Sequence, residues 1–288
     1  MRRMHAADRG MLARTAISAP KRCRISIEIA RPPATLPRMP VDHFPTTHAT
    51  WIDAQLTIAE DGDRAAARGD DAGRGRATNA RDAIRRHVME RYAPALTAYV
   101  STPELRRLGE RDELVSGFFA RTMGDPAFFV RWRASGLPLR RWLMNAMAFH
   151  CRGVMRDSRR EAARTFEVDG SEIAESLQSA EPGPAAAFDR AWALALTNEA
   201  YRQVQADLVS RGRGEDDAVF RMHVVEGLTY AQVSVRTGRT EAECLNTARR
   251  VSNALRAAVR DLLREEGVQE SDMDAAVAEV LAIVERST

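Results

Sequence analysis

The sequence contains few of the features that mark secreted, metal-binding, membrane or catalytic proteins. It has 3 cysteines among 288 residues, far apart, and none lies in a CxxC motif or beside a histidine at zinc-ligand spacing. No apolar run approaches the ~18 residues of a membrane-spanning helix. Gly-rich phosphate loops, GxSxG and HExxH motifs are also missing. We therefore expect a cytoplasmic protein in a reducing compartment that is not an enzyme, with no cofactor, metal ion, small-molecule substrate or membrane partner.

Aromatic residues and long strand-like runs of β-branched residues are scarce as well. Aromatic residues make up 6% of the chain, whereas alanine, arginine, leucine and glutamate dominate it. These residue types favour helix, so we expect an all-α fold. Lys21 is the only lysine, and the net charge of +3 is carried almost entirely by arginine. This charge balance leans slightly towards a polyanionic partner.

Composition and periodicity divide the chain into five segments. Residues 1–43 hold nine basic and three acidic residues with five prolines, and we expect a disordered basic tail or a mis-assigned start. Residues 44–164 and 188–263 show helical periodicity, although 61–81 is rich in Gly, Asp and Arg and is expected to be a loop. Residues 165–187 are acidic and carry Pro-Gly-Pro near their end, which is typical of a flexible linker, and residues 264–288 predict an acidic C-terminal helix. The chain is thus predicted to form two small helical domains joined by a flexible linker.

The second domain contains two adjacent helix-start signals. Thr229 is followed three residues later by Gln232, and Thr240 is followed three residues later by Glu243. Each pair has the spacing of a capping box, in which the threonine hydroxyl accepts from a backbone N–H and the longer side chain returns to the cap. Gly238 lies where the first helix must end. The pattern predicts a short helix, a turn and a longer helix, which is a helix-turn-helix.

The longer helix is predicted to have two different faces. Cys244, Ala248, Val251 and Leu255 recur at helical spacing and predict a buried stripe. The opposite face carries small, amide and guanidinium side chains that suit the major groove of DNA: Ala242, Asn246, Arg249 and Asn253, with Arg250 beside them. A solvated face of an ordinary helical hairpin explains the same pattern, so both interpretations stay open at this point.

A basic helix is predicted in the first domain. Seven arginines lie between Arg140 and Arg164 against two acidic residues, a net charge of +5. Aromatic residues beside such a helix supply the stacking faces and the charge that single-stranded DNA binding requires. A solvated helix with its aromatics in the core is the alternative, and it suits Trp142, which falls on the apolar stripe.

Several motifs in this order resemble bacterial sigma factors of the extracytoplasmic-function (ECF) type. VFRMHVVEGLTYAQVSVRTGRTEAE resembles the promoter-reading end domain, and DELVSGFFARTM resembles a helix of the first domain. LPLRRWLMNAMAFHCRGVMRDSRRE is similar to the family's promoter-melting helix, and FPTTHATW resembles the opening of a subgroup with an acidic C-terminal extension. The resemblance covers roughly residues 44–288.

The resemblance implies that residues 44–164 bind core RNA polymerase and open the −10 element, while residues 188–263 read the −35 element. Polymerase contacts are implied for Asp112, Glu113, Leu114, Phe118 and Phe119. Contacts with the −10 element are implied for Arg140, Arg141, Arg152, Arg156, Arg159 and Arg160. Contacts with the −35 element are implied for the exposed face of the longer helix described above. The expected partners are core RNA polymerase and promoter DNA, and an anti-sigma factor or other regulator is a further candidate.

Two other functions are compatible with the sequence. The family has Gln-Glu where this chain has Ser116-Gly117, which suggests a degenerate sigma-like protein that binds a regulator or part of the polymerase without initiating transcription. A stand-alone helix-turn-helix regulator that uses only residues 188–263 is the other alternative.

Overall fold

The computed structural model describes residues 48–165 and 183–286, and every regular element in these ranges is a helix. The first half contains α1 (His48–Ala66), α2 (Asp71–Val100), α3 (Arg111–Arg121), α4 (Phe128–Ser135) and α5 (Leu139–Thr165). The second half contains α6 (Pro184–Ser210), α7 (Gly214–Phe220), α8 (Tyr230–Thr237), α9 (Glu241–Glu265) and α10 (Met273–Glu285). The all-α prediction is confirmed. The predictions for residues 1–43 and for most of the linker lie outside the described residues.

The expected loop over residues 61–81 is wrong, because these residues belong to a long helical hairpin. α1 continues to Ala66 and α2 begins at Asp71, so only a four-residue turn separates them. Gly62 and Gly73 lie where the two helices cross, and a Cβ atom built on Gly62 would come within 2.6 Å of the Gly73 carbonyl oxygen. The glycines that suggested a loop therefore allow close helix packing instead.

The core of the first half lies between α2, α3, α4 and α5. Phe118 from α3, Phe128 from α4 and Leu143 from α5 are almost completely buried there. α2 continues through Pro94 and supplies the fully buried Ile84, Val88, Tyr92 and Leu96. Ile84, Val88, Tyr92 and Leu96 recur every four residues, so they share one face of α2.

The second half is built around α6 and α9. Phe188 and Trp192 of α6 pack with Leu255 and Val259 of α9, and all four side chains are buried. α6 begins at Pro184, four residues before the expected boundary, because Gly183 serves as its N-cap and proline suits the first helical position. A smaller cluster of Val219, Val233 and Cys244 joins α7, α8 and α9.

The two halves share one hydrophobic core, so the prediction of two separately packed domains is not confirmed. α2 packs directly against α6, and a single buried cluster extends through both halves. Glu266, just after α9, is buried against α2: its carboxylate accepts hydrogen bonds from Arg91 Nε at 2.6 Å and from the hydroxyl of the fully buried Tyr92. Burial, with the nearby Glu266 carboxylate, raises the pKa of Tyr92 well above its ordinary value. This contact holds the end of α9 against the first half.

Candidate nucleic-acid interface

α8 and α9 are joined by a tight turn with a capping box on each helix. Gln232 donates its backbone N–H to Thr229 Oγ1 at 3.3 Å, and its side-chain oxygen accepts from the Thr229 N–H at 2.9 Å. Thr240 and Glu243 repeat this arrangement at 3.3 and 2.8 Å. Gly238 ends α8 with φ of +70°, in the left-handed region that glycine adopts without strain. Both predicted caps and the predicted stop are confirmed.

The two faces of α9 divide as the sequence predicts. Cys244, Ala248, Val251 and Leu255 are buried, each at most 2% exposed. The opposite face is open to solvent and displays four of the predicted site residues: Ala242, Asn246, Arg249 and Asn253. Because these residues lie along one side of a capped helix, they form a continuous surface of small, amide and guanidinium groups.

Arg250 differs from the other four predicted residues of α9 because it is held by the protein itself. Its Nη2 donates to Asp216 Oδ2 at 3.0 Å and to Thr247 Oγ1 at 3.3 Å. Half of the side chain remains exposed. Arg250 therefore lies at the edge of the exposed face, turned towards α7.

The second half of α5 presents a basic surface. Arg152, Arg156, Arg159 and Arg160 are all exposed, as expected of side chains that contact a polyanion. Phe149 lies on the same side and is 66% exposed, with its ring centroid 6.0 Å from Arg156 Cζ. An exposed aromatic ring beside arginines is the combination of groups on which single-stranded nucleic acids stack in other proteins.

Phe149 was missing from the predicted site. The signal that identifies it is its spacing, since Phe149 precedes Arg152 by three residues and Arg156 by seven. Those intervals place all three on one side of a helix. The buried side of α5 is formed by Leu139, Leu143, Met147 and Cys151.

Arg140 does not belong to this basic surface. Its side chain is 17% exposed, and it forms ion pairs with Asp189 at 3.5 Å and with Glu279 of α10 at 3.1 Å. Its guanidinium also lies 4.4 Å from the centroid of the Trp192 ring. Arg141 is less constrained, with one nitrogen 3.9 Å from Asp189. The first turn of α5 thus belongs to the junction between the halves, which separates Arg140 from the other predicted −10 residues.

The helix expected to bind the polymerase, α3, exposes only part of its predicted set. Asp112 and Glu113 are exposed in its first turn. Leu114, Phe118 and Phe119 are at most 5% exposed and pack inside the first half. These three residues therefore pack α3 against the rest of the first half. A partner that binds α3 would contact the exposed Asp112 and Glu113.

No family model, curated protein or solved structure matches this chain. Among the described residues, no helix is long and apolar enough to cross a membrane. The same part of the chain holds no group of three or more His, Cys, Asp or Glu residues placed to bind a metal ion. The functional assignment therefore depends on the exposed faces of α5 and α9.

Proposed function

We propose that the chain is a sigma factor of the ECF type, which binds core RNA polymerase and directs it to promoters. The observation that carries the proposal is the exposed face of α9, which follows a capped helix and a tight glycine turn. This arrangement suits a recognition helix of a helix-turn-helix, whose amide and guanidinium groups contact base edges in the major groove.

The basic surface of α5 supports the same function. A protein that opens promoter DNA must hold single-stranded bases, which requires stacking faces and a cationic track for the backbone. Phe149, with the exposed arginines of α5 beside it, provides both. On this proposal α9 contacts duplex DNA at the −35 element and α5 contacts unpaired DNA at the −10 element.

The test has two stages. Purified full-length protein is mixed with core RNA polymerase, and the complex is followed by size-exclusion chromatography at near-physiological salt. The complex is then given a pool of templates with randomised promoter positions, and the transcripts are sequenced. A sigma factor co-elutes with core and enriches a defined promoter pair, whereas absence of a complex contradicts the proposal.

A matched pair of variants tests the role of α9. Arg249→Gln removes one charge from the exposed face of α9, and Arg202→Gln removes one charge from the exposed surface of α6. If Arg249 contacts a base, its loss relaxes the preference at one −35 position by about 1–3 kcal/mol. Arg202→Gln should leave the enriched sequences unchanged. Equal effects of the two variants would show that α9 does not read the sequence.

A second candidate function is a sigma-like protein that binds a regulator or part of the polymerase without initiating transcription. The specific observation that favours it is Ser116-Gly117, which lies on the accessible side of α3 where the family carries Gln-Glu. A Cβ atom on Gly117 would lie 3.6 Å from His150 Nε2, an ordinary van der Waals contact, so a side chain can begin there without a clash at its first atom. The Ser116→Gln, Gly117→Glu double variant should gain core binding if this candidate is correct and change little if the chain is already a working sigma factor.

A stand-alone regulator formed by residues 188–263 is less compatible with the shared core. Removal of residues 44–164 would expose the apolar face of α6 that packs on α2. Such a deletion therefore tests folding before it tests DNA binding. Substitution of the exposed arginines of α5 in the full chain is the better experiment, because a stand-alone regulator would keep its promoter preference.

A further inference from the structure

Asp216 in the first turn of α7 is a buried carboxylate surrounded by arginines. Its side chain is 6% exposed, and it is bonded by three guanidinium groups. Arg213 donates from Nε and Nη2 to Oδ2 at 2.9 and 2.7 Å, and Arg250 donates to the same oxygen at 3.0 Å. Arg239 donates from Nη1 to Oδ1 at 2.8 Å. Burial alone would raise the pKa of Asp216, but these hydrogen bonds outweigh it and hold the pKa below its ordinary value.

The charges around Asp216 do not balance. Three guanidiniums face one buried carboxylate. Among the described residues, the one other acidic contact is Glu215, whose side chain is 92% exposed and lies 3.4 Å from Arg239. An exposed ion pair of this kind contributes little. The side chains of Arg213, Arg239 and Arg250 are 38%, 28% and 50% exposed, whereas Asp216 is 6% exposed. The cluster therefore carries an excess of positive charge that solvent reaches in part, and its hydrogen bonds to Asp216 hold the three guanidinium groups together.

The cluster lies beside the exposed face of α9. Arg250 follows Asn246 by four residues, which turns it by about 40° around the helix, towards α7. Arg239 lies in the turn that leads into α9, where its carbonyl accepts a hydrogen bond from Ser234 Oγ at 2.6 Å. The three arginines therefore border one side of the surface formed by Asn246 and Arg249.

We propose that Asp216 is a positioning residue that holds Arg213, Arg239 and Arg250 as a binding site for a backbone phosphate of duplex DNA. The inference rests on the proposed function, because it takes α9 as the helix that enters the groove. A guanidinium matches the geometry of phosphate oxygens, and a guanidinium already held by a carboxylate loses less freedom when it binds. The site contributes affinity and register without reading the sequence.

The first test compares two arginines of the same loop. Arg213→Gln removes a member of the cluster, whereas Arg211→Gln removes an equal charge from a residue that pairs only with Asp207 among the described contacts. Binding of the full-length protein to a random-sequence duplex is followed by fluorescence anisotropy over a range of salt. The slope of log K against log salt is negative for DNA binding, and Arg213→Gln should reduce its magnitude by up to about 0.9, the contribution of one phosphate.

Two results would overturn the proposal. One is an equal change of slope in Arg213→Gln and Arg211→Gln, and the other is the absence of any duplex binding at low salt. Failure of the sigma-factor proposal is a separate result, because core RNA polymerase binding is measured without DNA. A chain that does not bind core can still show the predicted difference between the two slopes.

The second test separates positioning from simple charge. Asp216→Asn removes a negative charge beside the proposed phosphate site, so electrostatic attraction alone predicts tighter duplex binding. If Asp216 orders the three arginines, the same variant binds less tightly, by an expected 3- to 10-fold, which corresponds to about 0.6–1.4 kcal/mol. The measurement is made at a temperature where circular dichroism shows the variant to be fully folded. Tighter binding would contradict the positioning role.

Discussion

Replacement of Glu266 by alanine should destabilise the whole chain, because this carboxylate connects the two halves. Glu266 is 4% exposed in its side chain and is held by Arg91 and Tyr92 of α2. Without it, the fully buried Tyr92 hydroxyl loses its acceptor, which costs about 1–3 kcal/mol. Arg91 loses its buried partner, and breaking such a pair costs about 3–5 kcal/mol. Since Arg91 remains 20% exposed and both losses involve one carboxylate, we expect about 3–5 kcal/mol in total.

The measurement is urea denaturation followed by circular dichroism and by tryptophan fluorescence. Wild-type protein should unfold with coincident transitions, since the halves share one core. Tyr92→Phe should cost only about 1–2 kcal/mol, because Glu266 keeps its partner Arg91. Glu90→Ala makes the same charge change at an exposed residue of α2 and controls for the loss of charge. If Glu266→Ala destabilises the chain no more than Glu90→Ala, or if wild type already unfolds in two separate steps, the shared-core interpretation is refuted.

Three further predictions follow from the described contacts. Gly73→Ala should destabilise the α1–α2 hairpin by about 1–3 kcal/mol, because its Cβ would lie 2.6 Å from Ala65 Cβ. Gly75→Ala, whose Cβ would meet nothing within 4 Å, should stabilise α2 by up to about 1 kcal/mol. Thermal melts of the two variants test this difference. Phe149→Ala should weaken binding of a single-stranded oligonucleotide by about 1–3 kcal/mol in an anisotropy titration and leave the melting temperature unchanged, because the ring is largely exposed. The folded-state pKa of Asp216 is lowered, so its stabilisation is complete above the unfolded pKa of about 3.9 and is lost as pH falls through the folded pKa. Melts between pH 7 and pH 3 should therefore show a smaller acid-induced loss of stability in Asp216→Asn than in wild type.

Local sequence signals predicted the elements that local interactions form. The two capping boxes and the Gly238 stop involve residues no more than a few positions apart, and the structure contains each of them. The buried stripe of α9 is likewise a matter of helical spacing. These features depend on backbone hydrogen bonds and periodicity, which a single sequence displays directly.

Long-range contacts could not be predicted in the same way. The bond from Tyr92 to Glu266 joins residues 174 positions apart, and no local pattern distinguishes Glu266 from the acidic residues around it. Gly62 and Gly73 illustrate a different error. Their glycine-rich surroundings predicted a loop, but in the fold these glycines allow α1 and α2 to approach closely. Long-range contacts also explain the error in the predicted −10 site. In the sequence Arg140 resembles the other arginines of α5, but in the fold it forms ion pairs with Asp189 and Glu279.

The shared core changes what the proposed function requires of the two DNA-contacting helices. If α5 and α9 belonged to freely linked domains, each could adjust separately to the spacing of the −10 and −35 elements. In the described arrangement α2 packs on α6, and Glu266 holds the end of α9 against α2. The positions of α5 and α9 relative to one another are therefore fixed. A sigma factor with this core either accepts a narrow range of promoter spacings or must break the Glu266 contacts when it binds core polymerase. The Glu266→Ala variant distinguishes these outcomes, because it should widen the range of accepted spacings only if the contacts persist in the promoter complex.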